Sequence, residues 1–166
     1  MTQESPGKST ATATTDVQRM SDRDLVVTRT FDAPARLVFA AWSRPEWFAR
    51  WWVPEASGLK LLSCEIDVRT GGTYRLTFAH PMADKPFAFF GRYTDVVPDQ
   101  RIVWTNDEGD DGAITTVTFA ECDGKTLVTF HERYPTSAAL DEALSGSAEA
   151  LPAQFDQLAD LLADKS

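Results

Sequence analysis

The chain reads as an α+β domain, a curved antiparallel sheet of about six to seven strands wrapped around a long C-terminal helix, with two short helices after the first strand. Three observations predict this. Between Thr136 and Ala163, the residues Leu140, Leu144, Leu151, Phe155, Leu158 and Leu162 recur at steps of three, four or seven, which lines them up as one apolar helical stripe. The opposite face carries Asp141, Glu142, Glu149, Asp156, Gln157 and Asp160, so the stripe needs a partner surface on one side only. The roughly hundred residues before it form strand after strand with short connections, which implies antiparallel neighbours. Near the start, Trp42, Trp47, Trp51 and Trp52 crowd two short helical stretches, more indole than a surface helix needs.

In order, Met1 to about Asp22 is rich in Thr, Ser and Ala with little to bury, and is expected to be a disordered tail, leaving 23–164 as a single domain. Leu25 to Phe31 is apolar and β-branched and predicts a strand. Asp32 or Ala33 then caps a helix with Pro34 in its first turn, where a missing N–H costs nothing. Ser43-Arg44-Pro45 breaks that helix, and Glu46 to Trp51 makes a second. Strands follow at Leu59–Val68, Thr73–His80, Phe87–Val97, Arg101–Thr105, Ile114–Ala120 and Thr126–Tyr134. Gly71-Gly72 and Asp123-Gly124 supply turns, Gly91 marks a bulge or bend, and Asn106 to Gly112 is an acidic, solvated loop. Pro152 cannot sit in a helix interior. The C-terminal stretch therefore divides into a preliminary helix, Thr136 to Ser145, and a main helix from about Ser147 to Ala163, either kinked near its start or holding Pro152 in its first turn.

Composition narrows the function classes. A net charge of −9 and the lack of basic runs argue against nucleic acid and against an anionic membrane surface as partners. No apolar run has the length of a membrane span, and the N-terminus lacks the pattern of a secretion signal, so a cytoplasmic location is expected. Cys64 and Cys122, without CxxC spacing, read as buried free thiols. His80 and His131 have no companion ligands at metal spacing, so neither metal nor cofactor is expected. Ten Phe, five Trp and three Tyr are generous and suit the lining of a pocket.

Several segments resemble a known family. Phe31-Asp32-Ala33-Pro34, Trp42 with Pro45-Glu46, Trp51-Trp52-Val53-Pro54 and Asp67-Val68-Arg69-Thr70-Gly71-Gly72-Thr73-Tyr74 resemble the START-like (SRPBCC) proteins related to the Hsp90 ATPase activator C-terminal domain. Phe90 to Pro98 resembles that family's next motif, with Asp95 where glutamate is usual, and Gly124 to Thr129 its last hairpin. The resemblance implies a helix-grip fold, in which the sheet grips the C-terminal helix around an apolar cavity. It departs at Gly146-Ser147 and Ala150-Leu151, where the family commonly has Gly-Met and Gly-Trp. Leucine in place of tryptophan implies a larger or differently shaped pocket. The eukaryotic co-chaperones of this name carry an additional N-terminal domain for which this chain is expected to have no room.

The expected function is therefore the binding of a hydrophobic small molecule. Its lining is expected from Trp42, Trp52, Phe78, Phe89, Tyr93, Trp104, Phe119, Phe130, Tyr134, Leu151 and Phe155. Glu65, Glu132 and Tyr134 are the polar groups expected to look inward. No catalytic set is assigned, since GxSxG, phosphate-loop and other nucleophile motifs are missing. Glu132 and His131 are the candidates for proton transfer, although strand alternation places His131 opposite Val128, Phe130, Glu132 and Tyr134. Asp67 and Arg69, two apart on one strand, are expected to clamp the Gly71-Gly72 turn. The alternatives are a cyclase, lyase or hydrolase acting on an apolar ring, and an interaction module for a chaperone or regulator. A homodimer is left open.

Overall fold

The structure is a computed structural model that describes residues 14–107 and 112–165. Its strands are β1 (Asp16–Arg19), β2 (Asp24–Phe31), β3 (Lys60–Ile66), β4 (Thr73–Ala79), β5 (Phe87–Val97), β6 (Arg101–Thr105), β7 (Ile114–Cys122) and β8 (Lys125–Arg133). The helices are α1 (Ala35–Ser43), α2 (Pro45–Trp51), α3 (Ser137–Leu144) and α4 (Leu151–Lys165), with single 3₁₀ turns at Glu55–Ser57 and Ser147–Ala150. Among the described residues the strands form one sheet in the order β1-β2-β8-β7-β6-β5-β4-β3, every pair antiparallel. This is the helix-grip architecture, with one strand more than the sequence predicts.

The additional strand is β1. It lies in the stretch expected to be a tail, and pairs Asp16–Arg19 with Leu25–Thr28. Its residues are exposed, so it is held by the backbone ladder and by ties to the helices rather than by a core face. Arg19 meets Asp141 of α3 at 2.7 Å. Residues 1–13 of the expected tail, and Glu108 to Asp111 of the expected acidic loop, lie outside the described residues.

The main helix forms as its stripe requires, burying Leu151, Phe155, Leu158, Leu161 and Leu162 against the sheet and the small helices. Each such side chain contributes roughly 1.5–3 kcal/mol on burial. Pro152 stands in the first turn of α4, preceded by the 3₁₀ turn, so no kink is needed. The preliminary helix α3 is capped by Thr136, whose hydroxyl accepts from the Ala139 N–H at 3.1 Å. Gln157, placed by spacing on the wet face, is half-buried. Its amide donates to the carbonyls of Trp51 (3.0 Å) and Val53 (2.8 Å) and accepts from the Glu55 N–H (2.9 Å). Those are the loose backbone groups past the end of α2, and Gln157 satisfies them.

At the start of α1 the cap differs from expectation. The helix begins at Ala35 after Pro34, without a side-chain cap from Asp32. The Ala35 N–H is taken instead by Glu121 of β7 at 2.8 Å. The inner face of β2 carries one charge, Arg29, only 7% exposed, whose guanidinium pairs with Asp156 of α4 at 2.5 Å and lies over the Phe31 ring. Asp67 and Arg69 pair at 2.8 Å in the open, and Gly71 at φ +90 completes the turn they flank. Both cysteines are free, Cys64 half-buried and Cys122 exposed, which corrects the expectation of two buried thiols.

Candidate functional site

The sheet, α4 and the α1–α2 pair enclose a cavity of about 570 Å³. Strand alternation builds its wall. Tyr74, Leu76 and Phe78 face in from β4, Phe89 and Tyr93 from β5, Ile102 and Trp104 from β6, and Phe130 and Glu132 from β8. Tyr134 follows β8 on the same side. Leu151 and Gln154 of α4 and Trp42, Phe48 and Trp52 of the helix pair close the opposite side. Trp42 is the hub of the aromatic packing. Its ring lies 4.6 Å from Trp51, 5.9 Å from Trp104 and 6.0 Å from Phe130, centroid to centroid. Trp51 is wholly buried and its indole donates to the Ala41 carbonyl at 2.8 Å, so it fixes α2 on α1 and takes no part in the lining.

Of the expected lining residues, Trp42, Trp52, Phe78, Phe89, Tyr93, Trp104, Phe130, Tyr134 and Leu151 are brought together around the cavity. Phe89, 43% exposed, sits at its mouth beside Phe78 and Phe87. Phe119 and Phe155 stand behind the wall. Phe119 is covered by Phe39 and Trp42 of α1, and Phe155 by Phe31, Trp42, Trp51 and Phe130. Both point inward from their elements, and the helix pair intervenes.

The polar end of the cavity is built on β7 and β8. Tyr134 Oη donates to Glu132 Oε1 at 2.6 Å and Thr115 Oγ1 to Oε2 at 3.2 Å. Burial raises the Glu132 pKa above its ordinary value, against the lowering effect of these two hydrogen bonds and of nearby His131. Burial, and then the Glu132 charge, likewise hold the Tyr134 phenol up, and burial does so at Tyr93. Nearby, the single proton of Tyr74 Oη is shared between the Thr105 carbonyl (2.8 Å) and Asn106 Oδ1 (3.0 Å), and Asn106 Nδ2 donates to the Ala113 carbonyl (2.8 Å). Asn106, expected in a solvated loop, is thus a half-buried tie that lines the cavity. The Trp42 indole N–H is buried with no hydrogen-bond partner among the described residues.

Two of the polar residues singled out lie off the cavity wall, His131 as strand alternation predicts and Glu65 against expectation. His131 lies on the outer face, where its Nε2 is 2.8 Å from Asp24 Oδ1 and Arg133 shares the same carboxylate. Hydrogen bonds from Ser21 and His131 are the main causes holding the Asp24 pKa down at about 2. His131 therefore does not line the cavity. Glu65 is exposed. Leu59 and Leu61 face in, and simple alternation would bring Glu65 with them, but a register shift between Leu61 and Ser63 reverses the parity and sends Ile66 inward instead. Gln154 and Phe48 line the cavity without having been singled out. Leu76 shares its face with Phe78 and could have been found by that rule, whereas nothing in the spacing marks Gln154.

The family model described as activator of Hsp90 ATPase homolog 1-like protein matches residues 32–163. The chain belongs to this family. Its members' fold recurs in solved structures. A protein of Rhodobacter sphaeroides matches with a TM-score of 0.81 at 20% identity, covering 90% of this chain and 99% of its own. One from Mycobacterium smegmatis matches at 0.75 and 22% identity, covering 91% and 98%. One from Chromobacterium violaceum matches at 0.66 and 28% identity, covering 84% and 96%. None of the curated proteins matches this chain. Among the described residues no helix is long and apolar enough to cross a membrane, and no grouping of His, Cys, Asp and Glu is suited to hold a metal ion.

Proposed function

We propose that the protein binds a hydrophobic small molecule in the cavity between sheet and C-terminal helix. The observation that carries this reading is a pocket of about 570 Å³, walled by aromatic and aliphatic side chains with a few polar groups among them. Specific small-molecule sites have this character: apolar walls supply affinity and a small number of polar groups set orientation. An apolar ligand that loses about 200 Å² to such walls gains about 5 kcal/mol before its own entropy costs. Titration with Nile red, a neutral apolar fluorophore, tests the reading. Leu151 stands on the wall, and Leu151→Trp projects an indole into the space. Wild type is expected to bind the dye with a blue-shifted emission, and the variant at least about tenfold more weakly. Equal affinity in the two proteins would place the dye elsewhere and defeat the proposal.

A second reading, proton transfer on a bound ring by Glu132, is favoured by one observation: a half-buried carboxyl with a raised pKa on the cavity wall. A cavity ligand that is chemically altered by wild type and unaltered by Glu132→Gln would support it. A ligand recovered unchanged from both would leave the binding reading alone.

A further inference from the structure

The cavity wall has a charge character that narrows the ligand class. Glu132 is the only Asp, Glu, Lys, Arg or His side chain on the wall among the described residues. It lies in a cross-strand row, Leu25 of β2 against Glu132, Glu132 against Thr115 of β7, Thr115 against Trp104 of β6, and Trp104 against Tyr93 of β5. Along β8 its same-face neighbours are Phe130 and Tyr134. Both carboxyl oxygens accept hydrogen bonds from hydroxyls, and among the described residues no cation on the wall faces either. Aromatic faces therefore surround a carboxyl whose counter-charge is not supplied from inside the cavity.

We infer that the cavity takes an apolar, ring-bearing molecule with a single positively charged amine, seated against Glu132 with its cation beside Phe130, Tyr134 and Trp104. The inference rests on the binding reading above and deepens it. Three physical arguments converge. An ammonium donates charge-assisted hydrogen bonds to the free lone pairs of the carboxylate. Ring faces attract a desolvated cation through their quadrupole. An anionic ligand, such as a fatty acid, would bring its charge to a wall that offers no cation among the described residues to meet it. A neutral alcohol escapes that penalty but forgoes the ion pair.

Occupancy by a cation has a further consequence. In the empty cavity, burial favours the protonated carboxyl, while Tyr134, Thr115 and, from the outer face, His131 favour the ionised one. Across the row, Leu25 and Trp104 contribute no charge. A bound ammonium adds an opposite charge and shifts the balance further toward the carboxylate.

Three probes with one ring system provide the test: anthracenylmethylamine, anthracenylmethanol and anthracene carboxylate, titrated against wild type and Glu132→Gln by fluorescence and by calorimetry. The amine is expected to bind tightest, about tenfold or more above the alcohol, with the carboxylate weakest. The order of the three probes in wild type does not depend on how the variant folds. In Glu132→Gln the amine should lose its advantage. An alcohol or carboxylate that binds as well as the amine overturns the charge inference and leaves the cavity reading intact. If none of the three binds while Nile red does, the charge inference falls and the cavity reading stands; if Nile red fails as well, the cavity reading falls too.

Discussion

Gly91→Ala tests how the sheet is bent around the cavity. Gly91 lies in β5, opposite Tyr74 and between the two wall residues Phe89 and Tyr93. A Cβ built there would stand 1.9 Å from the Thr105 carbonyl oxygen and 2.9 Å from a Tyr74 ring carbon, where ordinary contact begins at 3.4 Å. Relief needs a shift of about 1.5 Å between β5 and β6, and the obstacle is backbone. The same carbonyl accepts the Tyr74 hydroxyl at 2.8 Å, so the shift also strains a tie at the polar end of the cavity. Overpacking of about 1–3 kcal/mol plus about 1 kcal/mol for the hydrogen bond gives about 3 kcal/mol. At about 2–4 °C per kcal/mol for a chain of this size, the melting temperature should fall by about 10 °C. Gly124→Ala is the control. Gly124 has φ +79 and nothing within 4 Å of the added atom, so only the left-handed backbone is penalised, by about 1–2 kcal/mol. Thermal denaturation followed by circular dichroism compares the two. A Gly91→Ala protein that melts with or above Gly124→Ala would refute the close-approach argument.

Two further perturbations follow from the site. Glu132→Gln keeps an acceptor for Tyr134 and removes a buried acid whose folded pKa is raised. The acid's destabilising effect is missing below its ordinary value of 4.5 and develops as pH rises from there through the raised folded value. The variant should therefore melt higher than wild type at pH 8 and near it at pH 4, read by thermal scans at both; a variant less stable at pH 8 contradicts the assigned burial. Gln157→Ala strips three hydrogen bonds from the backbone after α2 and should destabilise by about 2 kcal/mol, with faster amide exchange at Glu55 in hydrogen-exchange mass spectrometry. Unchanged exchange there would show that the tie is dispensable.

The parts of this architecture that rest on period were legible in the sequence. The apolar stripe on the terminal helix and the inward set Phe130, Glu132 and Tyr134 follow from repeats of 3.6 and two, and the split before Pro152 from the missing N–H of proline; Gln157, which spacing put on the wet face, is the exception on the helix. What failed depended on contacts distant in sequence or on one inserted residue. The bulge after Leu61 turned Glu65 outward, and no local signal marks it. Phe119 and Phe155 face the interior as expected, but the packing of Trp42 over them decides that they are floor and not wall. The Glu121 cap on α1 joins residues 86 positions apart, and β1 has no apolar alternation because neither of its faces is buried.

Native mass spectrometry of the protein purified from its own host, followed by solvent extraction, measures the central claim most directly. The account predicts a discrete co-purifying mass that is lost on denaturation and is held less by Leu151→Trp. A clean apo mass from the host, joined to a melting temperature that no apolar compound raises, would contradict it.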